Sequence, residues 1–162
     1  MIGTTSLRIV EASGAVSALP LSQMMAWGPI TVEGRVPQPG EAFINVDQRI
    51  VAGRYFEAMR IPLRVGRPFT AADGAGAQPV VIVNEALARL LWPGSDPVGA
   101  RISFAGQGGP WLDVVGVVGD SRANAADEPA EPALFMPYAQ KRWAWLSWGT
   151  VLVRSDGSRP RD

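Results

Sequence analysis

Residues 79–104 constrain the fold of this 162-residue chain more than any other part of its sequence. The β-branched run Val80, Val81, Ile82 and Val83 predicts a buried strand. Asn84 directly after it is a favourable helix N-cap, so a short amphipathic helix is expected to begin at Glu85 and to end at Pro93. One face of this helix is predicted to be apolar and to contain Ala86, Leu87, Leu90 and Leu91.

Two further segments complete this unit. Residues 98–104 predict a second strand, and the apolar residues 111–120 predict a third strand that pairs with it. Residues 106–109, which contain three glycines, predict the hairpin connection between these strands. Gly116 and Gly119 lie within the apolar strand and indicate a bulge or a close backbone contact there.

Weaker signals lie on both sides of the unit. Strands are predicted at residues 15–21, 30–34, 42–51, 133–138 and 149–155. Residues 5–13 predict a frayed helix, and residues 54–59 predict one or two helical turns anchored by Tyr55, Phe56 and Met59. The strand at 42–51 alternates in polarity, which predicts a half-exposed strand with Phe43, Asn45, Asp47 and Arg49 on one side. The sequence therefore predicts a mixed α+β fold.

Composition excludes several classes of function. The chain has 15 basic and 15 acidic residues, so it lacks the net positive charge that attracts nucleic acid. It has no cysteine and no histidine, which excludes Cys–His zinc sites, thiol nucleophiles and Ser-His-Asp triads. Its single lysine, Lys141, has no glycine nearby, which excludes a phosphate-binding P-loop. A membrane-spanning helix needs a run of about 18 apolar residues, and the sequence contains no such run.

Carboxylates are the remaining candidates for catalysis. Asp127, Glu128 and Glu131 lie in one polar loop, where solvated side chains are expected. Asp113 lies on the apolar strand and Asp120 lies at its end. An aspartate directly after a strand, as at Asp120, is ordinarily part of a turn. We therefore predict no catalytic residue, no cofactor and no metal site, and we keep a carboxylate or metal hydrolase as the weakest alternative.

Two groups of large apolar residues are candidates for contact with a partner or substrate: Met24, Met25 and Trp27 in one, and Trp143, Trp145 and Trp148 in the other. Methionine repacks easily against different surfaces, and tryptophan is enriched at interfaces and in the headgroup zone of membranes. The alternative for both groups is ordinary packing against the core.

Four blocks of sequence, in order, resemble the MacB-like periplasmic core domain of MacB/FtsX-type ABC transporter permeases. They are VAGRYFEAMRIPLRVGRPFT (51–70), VVIVNEALAR with WPG and DPVG (80–99), WLDVVGVVGD (111–120) and FMPY (135–138). Arg54 departs from the pattern, because the family often has a small residue or proline there. The resemblance covers about residues 15–155.

The resemblance implies a non-catalytic domain on the extracytoplasmic, periplasmic face of the inner membrane, between the first and second transmembrane helices of the permease. It implies a porter-like α/β lobe formed by residues 1–78 plus 126–162, and a smaller inserted α/β lobe formed by residues 79–125. ATP hydrolysis is then expected in a cytoplasmic domain or subunit, whose motion passes through the membrane helices to this domain for export or for action on envelope partners.

The resemblance also implies partners. They are the permease's own transmembrane helices and nucleotide-binding domain, a second permease copy and a periplasmic adaptor. Because relatives begin earlier and continue into another helix and strand, we expect the chain to be a fragment with a truncated porter-like lobe. An exposed sheet edge would then favour pairing into a homodimer. The alternative from a different class is a free-standing envelope domain that binds partners through the methionine and tryptophan groups.

Overall fold

The computed structural model describes residues 10–17, 27–121, 129–140 and 150–155. These residues form nine strands, two α-helices and one 3-10 helix, which confirms the predicted α+β class. The strands are β1 (Val10–Val16), β2 (Trp27–Val32), β3 (Ile44–Gly53), β4 (Leu63–Gly66), β5 (Val80–Asn84), β6 (Arg101–Ser103), β7 (Leu112–Val118), β8 (Ala133–Pro137) and β9 (Thr150–Ser155). The helices are α1 (Tyr55–Ala58), α2 (Glu85–Leu91) and the 3-10 helix Tyr138–Gln140.

Six strands of the single sheet close into a ring. Hydrogen bonds join β2, β6, β7, β5, β8 and β3 in that order, and β3 pairs back onto β2. The first part of β3 pairs with β2 and its last part with β1, so β1 and then β9 extend the sheet beyond the ring. β4 pairs with β7 outside the ring in the same manner.

Alternating side chains give the ring an inner and an outer face. The inner face forms an apolar cluster with residues from all six ring strands and from α2, which we call the ring core. Its fully buried members include Val46, Val81, Leu87, Ile102 and Leu134. The outer face of β3, β5, β7 and β8 forms a second cluster with β1 and α1, which we call the outer core; its members are Val16, Val51, Tyr55, Ile61, Ile82, Val118, Ala133 and Phe135.

Asn84 caps α2 as predicted and also joins two strands. Its Oδ1 accepts the backbone N–H of Leu87 at 2.9 Å and that of Ala133 at 3.0 Å, and its Nδ2 donates to the carbonyl of Glu131 at 2.8 Å. The residue is 4 % exposed. Since the amide makes all these bonds while buried, it fixes where α2 and β8 lie relative to β5. The helix ends at Leu91, before Pro93 as expected.

The glycines of β7 permit a bulge and a close backbone contact, which confirms the prediction. The register between β5 and β7 shifts so that Val81 faces Val114 while Ile82 faces Gly116. A Cβ at Gly116 would lie 2.6 Å from the carbonyl oxygen of Arg67. Only glycine allows the two backbones to approach this closely, so β4 and the segment after it lie directly on β7.

Three local predictions were wrong. The predicted frayed helix overlaps β1, whose residues are held as a strand by pairing with both β3 and β9. The strand predicted at 98–104 contains only residues 101–103, because Gly99 adopts φ +92° in a turn. Leu90, predicted on the apolar face of α2, is 56 % exposed, and Ala88 packs against the ring core in its place.

The strands of residues 79–125 pair with strands of both other parts of the chain. β5 pairs with β8, β6 with β2, and β7 with β4. The division into a porter-like lobe and an inserted lobe therefore remains a prediction within one continuous sheet. Among the described residues, no helix has the length and apolar character needed to cross a membrane.

Candidate functional site

The outer face of the sheet contains a cavity of about 640 Å³. Its floor is formed by Val51, Ile82 and Val118, which are all at most 5 % exposed. They come from β3, β5 and β7, so the floor is part of the continuous sheet. The cavity thus lies over the outer core, on the face opposite the ring core.

One wall is formed by α1, whose position is set by aromatic packing. Phe56 meets Phe135 with ring centroids 5.0 Å apart and an interplanar angle of 81°, and Tyr55 meets Phe56 at 5.4 Å and 69°. Both geometries are edge-to-face contacts, which aromatic rings prefer. The helix α1 has only four residues, and these aromatic contacts hold it in place as one wall of the cavity.

The opposite wall is the loop that contains Phe69 and Asp73. The Asp73 carboxylate accepts two bonds from the guanidinium of Arg67, at 2.8 and 2.9 Å, and one from the N–H of Thr70 at 2.8 Å. The Arg67 hydrogen bonds, helped by Thr70, hold the pKa of Asp73 below its usual range against the opposing effect of burial. This paired carboxylate closes the loop into a fixed turn.

Gln140 ties this loop to the 3-10 helix. Its Oε1 accepts the N–H of Val80 at 3.0 Å, while its Nε2 donates to the carbonyls of Gly74 at 3.3 Å and Gln78 at 3.1 Å. This one side chain therefore joins the 3-10 helix to the loop and to the start of β5, and it keeps Gly74 in the cavity wall.

A buried polar cluster lies on the outer face of β3. Asp47 and Arg49 are 2 % and 4 % exposed and form an ion pair, with Arg49 Nε 2.6 Å from Asp47 Oδ2. The Tyr55 hydroxyl lies near this pair without a hydrogen bond of good geometry, and burial raises the pKa of Tyr55 while Arg49 opposes that rise. Within the described part of the chain, Asp47 Oδ1, Arg49 Nη1 and the Tyr55 hydroxyl have no hydrogen-bond partner.

This burial corrects the sequence prediction that Asp47 and Arg49 face solvent. Alternating polarity normally marks an exposed strand face, but here the buried Tyr55 of α1 lies beside the pair on this face of β3. The only local signal for burial was the spacing itself, since opposite charges at positions i and i+2 of a strand lie on one side and can pair.

The candidate contact residues lie mostly outside the described residues. Trp27 begins β2 opposite Asp47 and is 43 % exposed. Met24, Met25, Trp143, Trp145 and Trp148 are not among the described residues. The structure therefore leaves their predicted grouping as a prediction.

The two candidate catalytic aspartates, Asp113 and Asp120, have different surroundings. Asp120 accepts the N–H of Ala86 at 2.8 Å and pairs with Arg89 at 2.7 Å, so it anchors the first turns of α2 to the end of β7. Asp113 lies on β7, where its register partners are Val80 and Arg101. Among the residues that the structure describes, no three acidic side chains converge as a metal site would require.

The first and last described strands lie side by side. β1 and β9 are antiparallel, and Val10 is the register partner of Ser155. Two side-chain bonds tie this terminal ladder to α1: Arg54 Nη1 donates to the carbonyl of Glu11 at 3.0 Å, and Arg154 Nε donates to the carbonyl of Ala58 at 2.8 Å. The backbone N–H of Arg54 adds a third bond, to the carbonyl of Ser13 at 2.8 Å. The chain thus enters and leaves the described domain at one edge of the sheet.

Solved structures with this fold come from transporter proteins. The periplasmic region of MacB from Actinobacillus actinomycetemcomitans matches with a TM-score of 0.63 and 16 % identity, over 95 % of this chain and 62 % of that one. The extracellular domain of the noncanonic ABC-type transporter YknZ from Gram-positive bacteria matches with a TM-score of 0.57 and 16 % identity, over 94 % and 69 %. A domain of a putative permease from Porphyromonas gingivalis gives 0.57 and 15 %, over 93 % and 64 %.

The sequence itself settles the family. No individual curated protein matches it. The family model of the MacB-like periplasmic core domain matches residues 4–160, which is nearly the whole chain. The chain spans 62 % of the MacB periplasmic region to which it is similar. The chain therefore belongs to the family of MacB-like periplasmic core domains, the extracytoplasmic domains of MacB/FtsX-type ABC transporter permeases.

Proposed function

We propose that this domain transmits ATP-driven motion of its permease to the extracytoplasmic side and performs no bond-breaking chemistry of its own. The periplasmic domains of such permeases are generally non-catalytic. In this proposal, ATP is hydrolysed in a cytoplasmic nucleotide-binding domain, and the domain moves as the membrane helices on either side of it move. Export or contact with envelope partners is the output.

The pairing of Val10 with Ser155 is the observation that carries this proposal. A domain inserted between two membrane helices receives their motion through its two chain connections. Here the first and last described strands form one two-stranded ladder, so in this proposal a displacement that arrives from either side of the domain acts on the same edge of the sheet. The ladder passes load to β3 by backbone hydrogen bonds, and to α1 through Arg54 and Arg154.

The closed ring supports the second half of the proposal. Load that reaches β3 enters six strands joined in a circle, and each ring strand is hydrogen-bonded on both of its edges. A packed core of this kind transmits displacement because its interior is dense and resists compression. The ring is therefore expected to move as one body.

The partners named in this proposal differ in how well they are supported. The family implies transmembrane and ATPase partners. A second permease copy, a periplasmic adaptor and homodimers of the isolated chain are further parts of the proposal. We also propose that Trp27, 43 % exposed at the start of β2, belongs to a contact surface with Met24, Met25, Trp143, Trp145 and Trp148.

The transmission proposal is tested by cutting the two side-chain ties. In the complete permease, the double variant Arg54→Ala/Arg154→Ala removes both side-chain bonds between the terminal ladder and α1, and it leaves the backbone bond from the Arg54 N–H to the Ser13 carbonyl. We expect ATP hydrolysis by the purified complex to stay within about twofold of the wild type, while function in a host deleted for its own gene is lost. Arg101→Ala is the matched control, because Arg101 pairs with Glu33 at the exposed far side of the ring.

Retained function in the Arg54→Ala/Arg154→Ala variant, with a normal fold by circular dichroism, would count against transmission from this ladder to α1 through the two arginine side chains. The hydrolase alternative is tested separately with Asp113→Asn. If a divalent-metal-dependent hydrolytic activity were found in the chain and this variant abolished it, a catalytic role would replace the proposal.

A further inference from the structure

We propose that the cavity on the outer face binds a small, uncharged and mainly apolar molecule. This binding site goes beyond the proposed transmission of motion. It rests on the volume, the lining and the charge pairing of the cavity.

The volume is too large for a packing defect. Protein interiors rarely contain voids larger than a water molecule, whereas sites for small molecules measure about 300–1,000 Å³. The cavity of about 640 Å³ falls within that range. It is also bounded by fixed elements, since α1 is held by its aromatic contacts and the Phe69 loop by Asp73 and Gln140.

The floor excludes a strongly polar occupant. Val51, Ile82 and Val118 offer only hydrocarbon to the interior of the cavity, and Phe56 and Phe69 add aromatic walls. Water in such a place lacks the two to four polar partners that an ordered water needs. An apolar molecule that displaces it removes from solvent both its own surface and the exposed apolar surface of Leu63, Phe56 and Phe69 in the lining.

The rim excludes a charged occupant. Three ionised side chains line the cavity, and each is already paired: Arg54 with Glu57, and Asp73 with Arg67. The mouth therefore presents no uncompensated charge to a ligand. A charged molecule would lose hydration on entry without gaining an ion pair, whereas an uncharged one carries no such cost.

The test uses N-phenyl-1-naphthylamine, an uncharged apolar dye whose fluorescence rises when it leaves water, with the complete 162-residue chain. Ala71 and Ala139 line the cavity and are exposed, so Ala71→Trp and Ala139→Trp fill it without removing a core side chain. Ala72→Trp is the matched control, because Ala72 is exposed beside Ala71 and does not line the cavity.

We expect saturable one-to-one binding to the wild type and to Ala72→Trp, and a Kd raised by about tenfold or more in each filling variant. Thermal unfolding of each variant checks that the fold is kept. If a filling variant does not fold, chemical-shift changes in wild-type Phe56, Phe69 and Ile82 on addition of the dye locate the site directly.

Three results would overturn the proposal. They are the absence of saturable binding, equal affinity in the filling variants and the control, or shift changes confined to residues away from the cavity. The complete permease supplies the last check. If the isolated chain binds the dye and the assembled permease does not, another protein segment occupies the cavity and a small-molecule site is excluded.

Discussion

The ring core and the outer core lie on opposite faces of the same strands, yet they are completed in different ways. The ring core is enclosed by six strands and α2. The buried amide of Asn84, which joins β5 to α2 and to the start of β8, makes hydrogen bonds from both of its ends. The outer core is covered by a four-residue helix and a loop. It contains a cavity and a buried ion pair in which each partner has an unpaired atom.

This difference separates structure that specifies the fold from structure that leaves room for function. A fully paired buried polar group fixes one arrangement, because every alternative breaks its bonds. A buried polar group that is only partly paired lowers the stability of the fold and specifies its arrangement less strongly. We therefore interpret the inner face as the rigid part of the domain and the outer face as the part where ligands and moving elements meet.

The largest effect is expected at the buried ion pair. Arg49→Met leaves the Asp47 carboxylate buried and unpaired, and we expect a loss of about 3–5 kcal/mol in the free energy of unfolding. The double variant Asp47→Val/Arg49→Met removes both charges, and its stability is expected to return to within about 1–2 kcal/mol of the wild type. Urea unfolding of both variants measures this. A double variant as unstable as Arg49→Met would mean that the pair is needed for the fold.

Asn84→Ala sharpens the comparison at a buried polar group that makes hydrogen bonds from both of its ends. It removes the α2 cap and leaves the N–H of Ala133 and the carbonyl of Glu131 without their partner. We expect a loss of about 2–4 kcal/mol. Asn84→Ser is the control: its hydroxyl can still accept the N–H of Leu87 as a helix cap and introduces no charge, so a smaller loss is expected. Equal losses in both variants would contradict the role assigned to the cap.

Val117→Ala and Val118→Ala compare the two cores at neighbouring positions of β7. Val117 faces the ring core and Val118 the cavity floor, and they are 4 % and 1 % exposed. We expect a similar loss of about 2–3 kcal/mol for both variants, because both side chains are almost fully buried. Thermal or urea unfolding gives both values. A much smaller loss for Val118→Ala would mean that the outer core relaxes around the missing methyl groups more easily than the ring core does.

The smallest effect is expected at the cavity wall. The pKa of Asp73 is lowered in the folded chain, so its stabilisation is present above the unfolded pKa of about 3.9 and disappears as pH falls through the lower folded value. We expect Asp73→Asn to cost about 1 kcal/mol at neutral pH, since Arg67 is partly exposed, and to converge with the wild type in acid. A constant difference at every pH would exclude the titration of Asp73 as its cause.

The sequence predicted the inner face better than the outer one for a physical reason. The strand β5, its Asn84 cap and the stop before Pro93 depend on neighbours in the chain, and each has a local signal. The burial of Asp47 and Arg49 depends on Tyr55 of α1, which reaches that face only in the folded domain. The cavity likewise depends on how α1 and the Phe69 loop are spaced, and no residue pattern encodes that distance.

The central claim is that the terminal ladder receives motion and the closed ring follows as one body. Amide hydrogen exchange of the complete permease in lipid, without nucleotide and with ATP trapped in its nucleotide-binding domain, tests it most directly. We expect exchange to change in β1, β9 and α1 and to stay unchanged in β5 and β7. Identical exchange in both states throughout the domain, or changes confined to β5 and β7, would contradict the account.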